Sequence, residues 1–333
     1  MSKIIRWGIL GAGKIAKKFA NDLQFVSNAK LVAVGSRTQE NANAFAALFS
    51  IEKSYGSYED LVKDSELDII YIATPHVFHF ENTIMCLQNG KAVLCEKPFA
   101  INEKQVLQML QLATEKNLFL MEALWSSFLP HFIKLKEILA EGIIGEVTAM
   151  QANFGFQTNA ESSKRLTERE LGGGTLLDIG IYNIFFALNV LGEPQSVEAS
   201  MIANQTGADE QCAITYHYAN GATAQLFSTF KSNIPIDAQI FGTKGNIKLT
   251  HRFYEPSCNI LVSTDGGQNY ITIPTQKPQG FGYEFEAQHA TDCLIAGKTQ
   301  SDNMSFKKSQ QLIHALDTVR AKIGLLYPGD ESY

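Results

Sequence analysis

The sequence has no Cys-x-x-Cys pair, and its five cysteines, Cys86, Cys95, Cys212, Cys258 and Cys293, are odd in number and scattered. That usage excludes a disulfide framework, reads as reduced thiols, and leads to the expectation of a cytoplasmic location. Positive charge is not in excess: 28 Lys and Arg stand against 34 Asp and Glu, a net charge of −6. The balance argues against nucleic acid or an anionic membrane as the main partner, while allowing a local basic pocket. No uninterrupted apolar run reaches the ~18 residues that a membrane span requires. Met1-Ser2-Lys3-Ile4-Ile5-Arg6 has the charged start of a signal peptide. Its short apolar stretch runs straight into a glycine loop, however, and reads as a first strand. Internal repeats and low-complexity linkers are also lacking.

What is present is an ordinary globular composition, 45 % hydrophobic and 19 % charged over 333 residues, long enough for two domains of about 100–200 residues each. Up to residue 122, strands and helices alternate. Apolar runs at 4–10, 31–34, 69–73 and 92–95 predict buried strands. Helices are expected over 14–23, 39–48 and 81–88, with Asn102 and Gln105 spaced as a capping box for another. Such β-α repeats imply a parallel sheet. After Glu146 the texture changes. A strand is expected over 146–153 and a helix over 176–191. Ile214, Tyr216 and Tyr218 alternate with polar residues ahead of an Asn220-Gly221 turn, and a strand returns over 223–230. Gly242-Thr243-Lys244-Gly245 reads as another turn. Helices over 283–296 and 304–322 close the chain. The expected division is 1–122 and 123–333, with Pro130 and a connecting helix near the boundary.

Gly11-Ala12-Gly13-Lys14-Ile15-Ala16 fits G-x-G-x-x-A between the first strand and the first helix. Gly11 permits the tight turn and Gly13 a close approach by a pyrophosphate. Ala16 allows helix to pack on sheet, and the helix start, with Lys14 and Ile15, offers N–H donors to phosphate. The second strand ends in Gly35-Ser36-Arg37-Thr38, where NAD-binding chains usually carry a carboxylate for the ribose hydroxyl. Without one, Ser36 and Arg37 can take a 2′-phosphate, which favours NADP over NAD. Arg37 stacked on the adenine would suit either cofactor.

Two further groups carry chemistry. Glu96-Lys97-Pro98 follows a strand at the edge of the parallel sheet where ligands bind. Asp178 and Tyr182 sit four apart in an apolar run, so on a helix they share a face, and buried polar groups need partners or a task. The alternative is a structural hydrogen-bonded pair. Trp125 and Phe154 serve either as pocket walls against a ring or as core. His76 and His79 are three apart, but no further ligands stand at metal-site spacing, so no metal is expected.

Together the glycine loop, Glu96-Lys97-Pro98 and Gly172-Gly173-Gly174-x-x-x-Asp178-x-Gly180-x-Tyr182 resemble the Gfo/Idh/MocA oxidoreductase family over nearly the whole chain. Met121-Glu122-Ala123-Leu124-Trp125, Phe154, and Tyr182 where sugar dehydrogenases commonly have histidine resemble the branch that oxidises trans-dihydrodiols and D-xylose with NADP. The resemblance implies an α/β Rossmann N-terminal domain plus an α+β C-terminal domain with an open, mainly antiparallel mixed sheet, often used for homodimerisation. It implies Lys97 and Tyr182 as the acid/base pair, with Asp178 orienting substrate or tyrosine. Glu96 and Lys97 would also face the cofactor, as would Thr74, Pro75, His76 and His79 near the nicotinamide ribose. Two departures stand out: His76 replaces the asparagine of the family's T-P-N segment, and Ser127 replaces an arginine usual in the branch.

The expected activity is therefore hydride transfer between NADP, or NAD, and a carbinol carbon of a small polyhydroxylated substrate, a cyclic sugar or trans-dihydrodiol. A tyrosine with its usual pKa of about 10 needs a cation nearby to act as base near neutrality, which Lys97 can supply. Two rivals remain on the same scaffold: a non-catalytic NADP-binding regulator, which has no need of Lys97, Asp178 and Tyr182 together, and a glycoside hydrolase that retains NAD.

Overall fold

The computed structural model describes residues 3–158 and 163–330; Met1 and Ser2, where the signal-like reading begins, lie outside them. Along the chain β1 (Ile5–Leu10), α1 (Lys14–Leu23), β2 (Ala29–Gly35), α2 (Gln39–Phe49), β3 (Lys53–Tyr55), α3 (Tyr58–Val62), β4 (Ile69–Ile72), α4 (His79–Gln88), β5 (Ala92–Glu96), α5 (Glu103–Glu115) and β6 (Leu120–Ala123) alternate. Then follow α6 (Pro130–Ala140), β7 (Val147–Gly155), α7 (Lys164–Thr167) and α8 (Ile181–Leu191). The strands β8 (Ser196–Ala203), β9 (Asp209–His217), β10 (Thr223–Thr229), β11 (Ala238–Gly242), β12 (Asn246–Leu249), β13 (Ile260–Ser263) and β14 (Ile271–Ile273) precede α9 (Tyr283–Ile295) and α10 (Phe306–Ile323).

The chain forms two compact units, Met1–Phe128 with Pro278–Gln310, and Leu129–Lys277 with Gln311–Tyr333. This differs from the expected division at residue 122: a segment assigned to the second domain packs with the first. The cause is local and polar. The buried Asp22 carboxylate at the end of α1 accepts the Phe281 N–H at 2.8 Å and the Tyr283 N–H at 2.8 Å. Leu120 N–H donates to Thr299 C=O at 3.1 Å beside β6.

In the first unit, six parallel strands lie in the order β3-β2-β1-β4-β5-β6. The four residues of β4 and five of β5 are all buried, as a sheet covered on both faces requires. Strand order reverses between β1 and β4, so a crevice opens at their carboxyl ends, the place where open α/β sheets bind ligands. Asn102 caps α5 by accepting the Gln105 N–H at 2.9 Å, and the Gln105 side chain accepts the Ile101 N–H at 3.1 Å. The cap expected from the spacing is thus present, its return bond reaching Ile101.

The second unit holds eight strands in the order β14-β13-β12-β11-β7-β10-β9-β8. Only β7 and β10 pair in parallel; every other pair is antiparallel. Tyr216 and Tyr218 are buried while Thr215 and His217 are not, so the alternation read from sequence marks the inner face. On the outer face a groove of about 500 Å³ is lined by Gln151, Asn153, Ser200, Thr215 and Phe227. None of the residues singled out for chemistry lines it.

The helix expected over 176–191 is α-helical only from Ile181. Leu176–Gly180 forms a π-turn. Gly180 lets this wide turn lie against β10, where a Cβ would stand 3.2 Å from Ser228 Oγ. Counted from Arg169, the run to Leu191 is 23 residues and contains an 18-residue window of mean hydropathy 1.5, long and apolar enough by composition to cross a membrane. In the fold 78 % of that window is buried inside the protein, so it is a core helix.

Asp209 anchors its start. One carboxylate oxygen accepts the Thr175 hydroxyl at 2.6 Å and the Leu176 N–H at 2.7 Å. Burial pushes this carboxyl up to about 6, against those hydrogen bonds, which favour the charged form. The folded chain thus binds the proton more tightly than the unfolded chain does. The contribution to stability is whole below about pH 4 and is lost as pH rises through about 6. Asp209→Asn removes this dependence, so between about pH 4 and 7 thermal melts should show the variant gaining on the wild type as pH rises. A constant difference in melting temperature would exclude Asp209 as the source.

Candidate active site

Gly11 follows β1 with φ of 104°, a region that L side chains rarely adopt. A Cβ there would also stand 2.7 Å from the Ala73 carbonyl oxygen at the end of β4, so the two strands leave the sheet too close together for any side chain. Gly13 is different. Its φ of −81° is ordinary, and a Cβ would meet only Ala73 O, at 4.0 Å. Among the described residues nothing demands glycine at that point; the open space faces the start of α1. No side chain caps α1, and its first turn holds no acidic residue, which leaves the N–H groups of Lys14 and Ile15 for an anion. Ala16 is fully buried under the helix. These residues fit a dinucleotide pyrophosphate.

At the end of β2, Ser36 is buried and its N–H donates to Tyr55 O at 3.0 Å. Arg37 is exposed and forms no ion pair among the described residues. Its charge works on the phenol of Tyr58, whose pKa is raised chiefly by burial and lowered in part by Arg37.

Past β4, the Thr74 hydroxyl accepts from Asn82 at 3.1 Å, Pro75 leads into a turn at His76–Phe78, and His76 is buried with its ring 5.7 Å from that of His79. His79 is fully buried and ties two loops together, its ring nitrogens 2.7 Å from Pro98 O and 2.9 Å from Thr74 O. Neither nitrogen is left for a metal. Past β5, Lys97 is half-buried and joined to Pro98 by a cis peptide. Glu96 is buried and accepts the Tyr71 hydroxyl. The phenol of Tyr71 is held well above its ordinary pKa, by burial first and then by the charges of Glu96 and Glu286. Trp125 is 6 % exposed and stacks on Tyr283 at 4.5 Å. Ser127 is fully buried and its carbonyl accepts from Asn303 at 2.8 Å, so it offers no surface where the branch has arginine.

In the second unit the structure brings Asp178, Tyr182 and Phe154 together with two residues not foreseen. Phe154 lies 5.9 Å from the Tyr182 ring, and Tyr254 completes the group at 4.3 Å from Phe154 and 4.7 Å from Tyr182. Asp178, in the π-turn, accepts from Arg165 at 2.7 Å. The expectation that Asp178 and Tyr182 share a plain α-helical face is corrected by that turn, since the chain changes from i→i+5 to i→i+4 bonding between them. Such turns occur often at functional sites. Lys97 belongs to the first unit, Asp178 and Tyr182 to the second.

Residues 5–124 match the model of an oxidoreductase family with an NAD-binding Rossmann fold, and residues 132–248 match the GFO/IDH/MocA C-terminal domain. A trans-1,2-dihydrobenzene-1,2-diol dehydrogenase of Xenopus tropicalis is 39 % identical over 97 % of this chain and 99 % of its own. The chain belongs to the Gfo/Idh/MocA family. The human enzyme of the same name is 34 % identical over 98 % of this chain and 99 % of its own. Among solved structures, a 3-ketoreductase from Actinomadura kijaniata in complex with NADP and TDP-benzene has a TM-score of 0.86 at 23 % identity, covering 96 % of this chain and 98 % of that one. An aldose-aldose oxidoreductase from Caulobacter crescentus also scores 0.86, at 22 % identity over 96 % and 97 % of the two chains; these two share the fold.

Within this Gfo/Idh/MocA chain, Tyr71 and Glu122 had a readable signal as polar residues inside fully apolar strands. Tyr254 lies in an irregular loop after β12, and Arg165 pairs with Asp178 across thirteen residues without periodicity; nothing in the sequence marks either. The two glycines make the site testable. Gly13→Ala should leave folding stability within about 0.5 kcal/mol of wild type, as for a surface position, while dinucleotide affinity by fluorescence titration falls ~10-fold or more through lost approach of the phosphate. Unchanged affinity would show that the open space at Gly13 is not the phosphate seat.

Proposed function

We propose that this protein is an NADP-dependent dehydrogenase that moves a hydride between nicotinamide and a carbinol carbon of a cyclic sugar or a trans-dihydrodiol. The observation that carries the cofactor choice is the end of β2, where Ser36 and an exposed Arg37 stand with no carboxylate to repel a 2′-phosphate. Full-length identity of 39 % to a dihydrodiol dehydrogenase supports the substrate class. So does the aromatic group of Phe154, Tyr182 and Tyr254, which suits a flat or puckered ring.

Gly11, Gly13 and the N–H groups of Lys14 and Ile15 would hold the dinucleotide, which would supply the acceptor or donor of the hydride. The rest falls to the chain. Oxidation of an alcohol requires loss of its hydroxyl proton as hydride departs, and Lys97 and Tyr182 are assigned to take it. The Lys97 ammonium can bond to a developing alkoxide. Asp178, held by Arg165, orients a substrate hydroxyl.

Absorbance at 340 nm, with NADP and NAD compared over pentoses, hexoses, inositols and a trans-dihydrodiol, tests the reading. Steady NADPH formation is expected. Arg37→Gln should raise KM for NADP by ~10- to 100-fold with little change for NAD, since a bond to a charged group is worth ~1.5–3 kcal/mol; equal effects on both cofactors would contradict phosphate recognition. Lys97→Met and Tyr182→Phe should each lower turnover ~100-fold or more. Rates within a few-fold of wild type for both would sink the acid/base assignment.

A further inference from the structure

The turn that carries Lys97 is mounted from inside the fold. Glu122, in β6, is 2 % exposed and pairs in register with Cys95 of β5, two residues before Lys97. One of its oxygens accepts the N–H of Phe99, two residues after Lys97, at 3.1 Å. Ser309 at the start of α10 bonds the same carboxyl through its hydroxyl. Among the described residues the other oxygen, also buried, has no hydrogen-bond partner. A strand spends free energy to hold a carboxyl there, and nothing in the sheet requires it.

We propose that Glu122 is the positioning residue of Lys97: its carboxyl, bound to the Phe99 N–H, holds the turn in place and, when charged, favours the ammonium of the lysine. This rests on the assignment of Lys97 to proton transfer. Four groups face Glu122. Glu96 disfavours its charge and Lys97 favours it, the Ser309 hydroxyl bonds it, and Cys95 lies beside it, its thiol held well above the ordinary range mainly by burial. Burial pushes Glu122 up to about 7, so it gains charge as pH rises through neutrality. Coupling between two sites is mutual: the anion that Lys97 favours in turn favours the ammonium of Lys97. Below neutrality that support is withdrawn.

Lysine titration by NMR, in protein carrying carbon-13 at lysine Cε, decides the matter without turnover. The Lys97 resonance is identified by its loss in Lys97→Met. In Glu122→Gln it should titrate lower by about half a pH unit or more, as on removal of a neighbouring anion. NADP affinity by fluorescence titration should stay within about 3-fold, a shift of under 1 kcal/mol. Lys97 titrating as in the wild type overturns the proposal. Should Glu122→Gln fail to fold, Ser309→Ala serves. It removes a hydrogen bond that favours the charged carboxyl, so the step in the Lys97 curve due to Glu122 must move to higher pH; an unmoved step is equally fatal. Near wild-type turnover in Lys97→Met would instead defeat the catalytic assignment of the lysine, while the NMR result still settles what Glu122 does to it.

Discussion

β1 and β4 leave the first sheet so close together that the Ala73 carbonyl would stand 2.7 Å from any Cβ at Gly11. That approach turns the chain at once into α1 and brings the start of the helix to the crevice where strand order reverses. The same crowding places Thr74, Pro75 and His76 immediately beside the glycine loop. His79 then links this segment to Pro98, so the loops after β4 and β5 share one hydrogen-bonded frame beside the glycine loop. Loosening β1 against β4 would disturb the glycine loop and the lysine turn together.

The second unit solves a related problem with a different device. A run of apolar residues must begin a buried helix and still present an aspartate and a tyrosine. Asp209, reaching from the neighbouring sheet, takes the first N–H of that run. The π-turn absorbs the change of bonding before α8 begins. Around it Phe154, Tyr182 and Tyr254 pack ring to ring, with Arg165 holding Asp178 at the edge. Rigid aromatic contacts lose little side-chain entropy on ordering, so the cluster keeps its shape.

Patterning made much of this legible. Both-face burial marks β1, β4 and β5, helical spacing marks α1 and α2, and Asn102 with Gln105 marks the cap of α5. The glycine loop, Lys97, Asp178 and Tyr182 could be read because each sits at a fixed offset from a turn. Other elements left no trace. β3 is three half-buried residues, Lys53–Tyr55, and β8 has no buried residue at all, so hydrophobic alternation cannot report them. The return of Pro278–Gln310 to the first unit is tied in part by one carboxylate, Asp22, meeting N–H groups some 260 residues away. Long-range backbone capture of that kind has no local signature. The π-turn is invisible for a related reason, since an i→i+4 spacing of polar residues reads the same whether or not the helix widens between them.

That return segment has a consequence for how such a protein can change over time. The chain passes from one unit to the other after residues 128, 277 and 310, so neither unit is a continuous stretch of sequence. A gene cut at any single position leaves at least one unit short of a piece, and α1 without Pro278–Gln310 would expose the Asp22 carboxylate and the apolar surface around it. Recombination can therefore exchange the second unit between relatives only by replacing two separate segments at once. Diversification is better served by point substitution in loops such as that of Tyr254 than by shuffling whole domains.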